Sequence, residues 1–199
     1  MVGAVEGVTV LGAAAGWGVR GFMRAQGASW PDWVVVTGPA VLWGVLTSIF
    51  GIQAHLLPAA GMALCLWVAC CVDLRTHRIP NVIVLATFGL GLLAQSLRVG
   101  LVPALPALAA ACAAGLLFSV AVIGSRGGFG WGDAKLAAAM GCILGPGGMA
   151  VALLVTSLTA GVVAAVALLF RWRNWRDPLP FAPFFLVGGM VALFAAAHP

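Results

Sequence analysis

Eight stretches of apolar, almost uncharged sequence follow one another with only short polar breaks between them. A helix that crosses a bilayer needs roughly 20 such residues. The runs cover about residues 4–23, 33–52, 56–73, 82–97, 102–124, 134–146, 149–170 and 181–197. The sixth is short, because Gly145-Pro146-Gly147-Gly148 cuts it off, and the fifth carries Pro103 and Pro106 near its start, where a helix tolerates proline. Residues are 63% hydrophobic and only 8% charged, against roughly 25% charged in a soluble protein, and mean hydropathy is +1.12. A soluble enzyme, a disordered chain and a nucleic-acid module are excluded. The expected fold is all-α, a polytopic membrane protein of about eight transmembrane helices forming one domain over residues 1–199 in a lipid bilayer.

The charges give these runs an orientation. With eight spans, the loops on one side hold Arg20, Arg24, Arg75, Arg78, Arg126, Lys135, Arg171, Arg173 and Arg176, and the other side holds only Arg98. Basic residues collect on the cytoplasmic side, so both termini are expected outside the cytoplasm. Trp30, Trp33, Trp172 and Trp175 fall at the cytoplasmic ends of runs, as an interfacial aromatic belt would. The first basic residue, Arg20, follows the first apolar run, so no signal peptide is expected. Cys65, Cys70, Cys71, Cys112 and Cys142 lie inside apolar runs without a Cys-x-x-Cys pair, and read as small packing residues rather than a zinc site or disulfide framework.

An aspartate near the bilayer centre costs roughly 2.5–3.5 kcal/mol on insertion scales, so the five acids need reasons. Glu6 lies near the outer end of the first run, Asp32 precedes the second as a helix N-terminal acid, and Asp177 sits between Arg176 and Pro178 as a surface partner. Asp73 closes the third run and Asp133 opens the sixth. Two spans separate them, so they share one membrane face whatever the absolute orientation. Two facing carboxyls do not both ionise easily; one keeps its proton and the pair titrates as a unit, the arrangement aspartic proteases use. The alternative is two separate helix-end acids paired with Arg75, Arg78 or Lys135.

Three motifs surround these acids. Gly127-Gly128-Phe129-Gly130-Trp131-Gly132-Asp133 puts four glycines in six residues before an aspartate, which allows close backbone approach but lacks the Lys-Ser/Thr of a phosphate loop. Asp73-Leu74-Arg75-Thr76-His77-Arg78-Ile79-Pro80-Asn81 follows the third run, with Pro80 placed to begin the next helix and His77 read as a solvated loop residue. Leu179-Pro180-Phe181-Ala182-Pro183-Phe184-Phe185 opens the last run.

Together these stretches resemble the type IV prepilin peptidases, a family of Gly-x-Gly-Asp intramembrane aspartic peptidases, over roughly residues 60–199. That family's first catalytic Asp is followed by a short basic loop ending Ile-Pro-Asn, as in Asp73 to Asn81. Its second lies in Gly-x-Gly-Asp-x-Lys-Leu, matched by Gly130 to Leu136. Its last span opens Pro-Phe-Gly-Pro-Phe, matched by Pro180 to Phe184 with Ala182 in place of glycine. The resemblance implies an aspartic endopeptidase of the inner membrane. It would remove the short basic leader of prepilins or pseudopilins at the cytoplasmic face, with Asp73 and Asp133 catalytic and no metal or organic cofactor. Gly130 and Gly132 would admit the substrate backbone, and Lys135 would stabilise local negative charge or set the pair's proton affinity. Long members carry two Cys-x-x-Cys pairs after the first span. Here the loop from Arg24 to Asp32 has no cysteine, which puts the second activity, methylation of the new N-terminus, in doubt. Presenilin-like peptidases share Gly-x-Gly-Asp, but their Pro-Ala-Leu follows it, whereas Pro103-Ala104-Leu105 precedes it here. The rival classes are a pilin-binding assembly subunit and a proton-coupled transporter. Transport calls for further mid-membrane polar groups, and spans two, four and seven offer few beyond Thr and Ser.

Overall fold

A computed structural model describes residues 2–97, 100–125, 130–171 and 179–197. Seven helices follow in order: α1 Val2–Ala25, α2 Asp32–Phe50, α3 Leu56–Thr76, α4 Asn81–Ser96, α5 Ala104–Gly124, α6 Trp131–Leu169 and α7 Ala182–Ala197. Among the described residues there is no strand. Arg98, Arg126, Trp172, Arg173, Trp175, Arg176 and Asp177, on which part of the orientation argument rests, lie outside the described residues, as do Gly127 to Phe129 of the glycine-rich stretch.

Proline and glycine set most boundaries. Pro31, Pro80 and Pro103 occupy the N-cap positions of α2, α4 and α5. Each lacks the N–H that a helix start leaves unpaired and presets φ for the first turn. Gly51 ends α2 at φ 65, returning its N–H to the Thr47 carbonyl. α2, α3, α5 and α6 are long and apolar enough to cross a membrane, and α4 and most of α7 form shorter apolar helices. Leu85, Leu105, Leu116 and Ile123 point outward, which suits a molecule surrounded by hydrocarbon.

The expected sixth and seventh runs follow each other as the two halves of α6, joined at a break with no loop between them. α6 has 39 residues and would extend about 58 Å if straight, twice the roughly 30 Å of a hydrocarbon core. It is not straight: Gly145 breaks it at φ 68, ψ −176, with Pro146 next. Before the break, Gly141 packs on the backbone of Ala110 and Ala138 lies against Gly115. After it, Pro146, Met149 and Leu153 face Ala110, Ala114 and Leu117 across a shared groove. Both halves of α6 therefore run beside the same stretch of α5, in opposite directions. The left-handed φ at residue 145 is open to glycine at little steric cost. A separate expectation, that the third run ends at Asp73, is one turn short, because α3 continues to Thr76.

α3 is the most enclosed helix, packed against α2, α4 and α7, and α6 packs against α4, α5 and α7. α7 is thus wedged between the two helices that carry Asp73 and Asp133. Gly188 lies against Ala152 and Thr156 of α6, while Gly189 faces Leu66 and Met62 of α3 and Met140 of α6. Two adjacent residues without side chains let α3 and both halves of α6 close on α7.

Candidate active site

Asp73 lies in the last turn of α3. The turn closes on His77, which adopts the left-handed conformation (φ 53) and donates its N–H to the Asp73 carbonyl at 2.8 Å. The Asp73 side chain is only 4% exposed. Its Oδ2 accepts the backbone N–H of Ala182, the first residue of α7, at 3.0 Å. Asp73 therefore caps the start of a helix 109 residues away, satisfying one of the donors that a helix N-terminus leaves open. The third motif fixes that start in place. Phe181, Phe184 and Phe185 form a ring cluster, in which Phe181 and Phe185 also meet Phe118 of α5. The hydroxyl of buried Thr156 donates to the Phe184 carbonyl at 3.1 Å.

Asp133 occupies the first turn of α6 and is 9% exposed. Its Oδ2 accepts the Gly130 N–H at 3.0 Å, and its own N–H returns to the Gly130 carbonyl at 3.1 Å. This is the reciprocal bonding of a helix start, with an acid at the third position reaching back to the cap. The connector that follows Asp73 lies on the turn of Asp133, with Ile79 against Gly132 and Asn81 bonded to Lys135, so the structure brings the two acids to one end of the bundle. Among the described residues the ion pairs are Arg20–Asp32 at 2.8 Å and Arg24–Asp32 at 3.1 Å. Arg75, Arg78 and Lys135 do not pair with either buried carboxyl, so separate acids neutralised by those cations do not describe this geometry.

The supporting residues have distinct surroundings. A Cβ on Gly132 would meet the Ile79 Cβ at 3.0 Å, so the Ile79-Pro80-Asn81 connector runs against the start of α6. Gly130 is exposed and adopts φ −92, ψ 148, a conformation open to any residue. Lys135 is also exposed, and its Nζ donates to the Asn81 side chain at 3.1 Å rather than to an aspartate. It ties the first turn of α6 to the first turn of α4. Sequence reasoning assigned no role to Asn81, Ala182 or Thr156. Thr156 had a signal as a polar residue within an apolar run. Ala182 had one in its motif, but what it contributes is a backbone amide, which no residue type announces.

Residues 60–166, just over half the chain, match the model of the type IV leader peptidase family. The prepilin leader peptidase/N-methyltransferase of Burkholderia pseudomallei strain K96243 is 32% identical over 183 residues, covering 84% of this chain and 55% of that protein. The protein of the same name from Bacillus subtilis strain 168 is 35% identical over 145 residues, covering 72% and 57%. That from Xanthomonas campestris pv. campestris is 33% identical over 129 residues, covering 62% and 44%. The chain thus spans about half the length of the curated relatives it matches. No solved structure matches it. The matched stretch contains both buried aspartates and their connectors, and the chain belongs to the type IV leader peptidase family.

Proposed function

We propose that the chain is an aspartic endopeptidase that removes the leader from prepilins or pseudopilins, with Asp73 and Asp133 as its catalytic pair. The observation that carries this reading is the burial of both carboxyls at one end of the bundle, where the connector after Asp73 packs on the turn of Asp133. In the proposed reaction the two carboxyls share one proton. The ionised one takes a proton from water as the oxygen attacks the scissile carbonyl, and the protonated one donates to the carbonyl oxygen. Collapse of the tetrahedral intermediate expels the amine of the mature pilin, which takes up a proton, and leaves a carboxylate on the leader. No covalent enzyme intermediate forms.

Backbone donors hold each carboxyl at one oxygen, Ala182 for Asp73 and Gly130 for Asp133. Gly132 keeps the connector close, and Lys135 holds α6 against α4 through Asn81. The site needs neither metal nor organic cofactor. Counting α6 as two passes gives eight. Both termini then lie outside the cytoplasm, and the aspartates lie at the cytoplasmic face of the inner membrane, where a basic leader ahead of an apolar helix would be presented.

The test is coexpression with a prepilin encoded in the same genome, following pilin mass. Wild type should shorten the pilin by its leader, and Asp73→Asn and Asp133→Asn should not. Shortening that survives either substitution removes that residue from the mechanism. No shortening of several such pilins by well-expressed protein rejects the activity.

A further inference from the structure

The connector between α1 and α2 lies outside the stretch matched by the family model, and nothing in the proposed reaction uses it. Its Trp30 nevertheless reaches the helix that carries Asp73. The indole Nε1–H donates to the Cys71 carbonyl at 2.8 Å, and the Arg75 guanidinium lies 4.3 Å from the centroid of the same ring. Cys71 and Arg75 are one turn apart on α3, and Asp73 lies midway between them. One side chain therefore contacts α3 two residues before and two residues after Asp73, along a single face of the helix.

The contact has a fixed base. Ala28 is 1% exposed and its N–H bonds the Met23 carbonyl at 2.9 Å, after Gly27 turns the chain at φ 79. Asp32, two residues beyond Trp30, is held to α1 by both Arg20 and Arg24. The need is physical. The last turn of a helix frays readily, because no further turn follows to hold it, and a catalytic constellation tolerates displacements of only about 0.5 Å. Asp73 sits in just such a turn.

We infer that Trp30 is a positioning residue for Asp73, its indole fixing the last turn of α3 so that the carboxyl stays in register with Asp133; this rests on the peptidase reading. The test uses the full chain in lipid nanodiscs. Trp30→Phe keeps an aromatic ring for Arg75 while removing the N–H donor together with the second ring of the indole, and Arg75→Gln removes the cation and keeps the donor. Two readouts are taken: hydrogen exchange along α3, which needs no substrate, and kcat and KM for cleavage of a prepilin encoded in the same genome. Trp30→Phe should speed exchange of the amides at 72–77 about tenfold while residues 59–69 stay protected. It should also lower kcat about fivefold or more with KM within twofold, and Arg75→Gln should shift both readouts in the same direction by less. Unchanged exchange at 72–77 overturns the inference, as does faster exchange with kcat kept within twofold. Exchange that accelerates equally along all of α3 also overturns it, since Trp30 would then support the fold at large. If wild type cuts no prepilin although Trp30→Phe loosens 72–77 as expected, the peptidase reading falls and the brace stands as a structural contact.

Discussion

Ala182 offers a way to delete one backbone hydrogen bond from the site while leaving the side chains in place. It is the first residue of α7, and its N–H lies 3.0 Å from the Asp73 Oδ2. Proline is favoured at a first helical position because its φ suits the helix and its missing N–H is normally without a partner there. It also holds the preceding residue in an extended conformation, which a cap residue already prefers. Ala182→Pro therefore removes the donor and should preserve the helix start. A hydrogen bond to a charged group contributes roughly 1.5–3 kcal/mol. At about 1.4 kcal/mol per tenfold in rate, that predicts kcat lower by roughly ten- to a hundredfold if the bond holds Asp73 through the transition state. Residue 182 is fully buried, and the larger ring adds a packing cost of about 1–3 kcal/mol. Ala182→Val adds comparable bulk but keeps the N–H, so the ratio of the two variants isolates the amide. The assay is cleavage of a purified prepilin, with thermal unfolding of each variant beside it. Proline and valine variants of equal stability whose kcat values agree within threefold would refute the claim that α7 holds the carboxyl.

Gly132→Ala should lower thermal stability by about 1–3 kcal/mol and slow cleavage, because the added carbon would sit 3.0 Å from the Ile79 Cβ. Gly130→Ala, at an exposed site with an ordinary φ of −92, should be much milder, and equal losses would show that backbone crowding is not the cause. His77→Gly relieves a left-handed conformation that costs a non-glycine residue about 1–2 kcal/mol, against roughly 0.5–1 kcal/mol of extra chain entropy. It should raise Tm by about 2 °C with cleavage kept within threefold, and a tenfold loss of kcat would give the imidazole a chemical role. Lys135→Met should leave the shape of the pH–rate profile unchanged, since the ammonium bonds Asn81 and neither carboxyl. A shifted profile would restore the expectation that Lys135 tunes the aspartates.

What could be read in advance follows from how local each feature is. Helix positions were legible within a few residues, because runs of apolar side chains and the prolines that open them are local. Gly145-Pro146-Gly147-Gly148 likewise announced a break, realised at Gly145. That the two halves then fold back along α5 depends on contacts such as Gly141 with Ala110 and Gly115 with Ala138, which no run of sequence contains. Asp73 and Asp133 could be paired by counting spans, since parity needs no geometry. How each is held could not. Asp133 is capped by a residue three positions away, the local kind of contact a capping pattern signals. Asp73 takes its donor from a backbone amide 109 residues along and has the Trp30 brace beside it from 41 residues back on Cys71. Its surroundings come from α1–α2 on one side and α7 on the other. A site divided this way is open to separate disturbance: substitutions at Gly130 act on Asp133 through its own turn, whereas those in α7 or the first loop act on Asp73 and leave the Gly-x-Gly-Asp stretch unaltered.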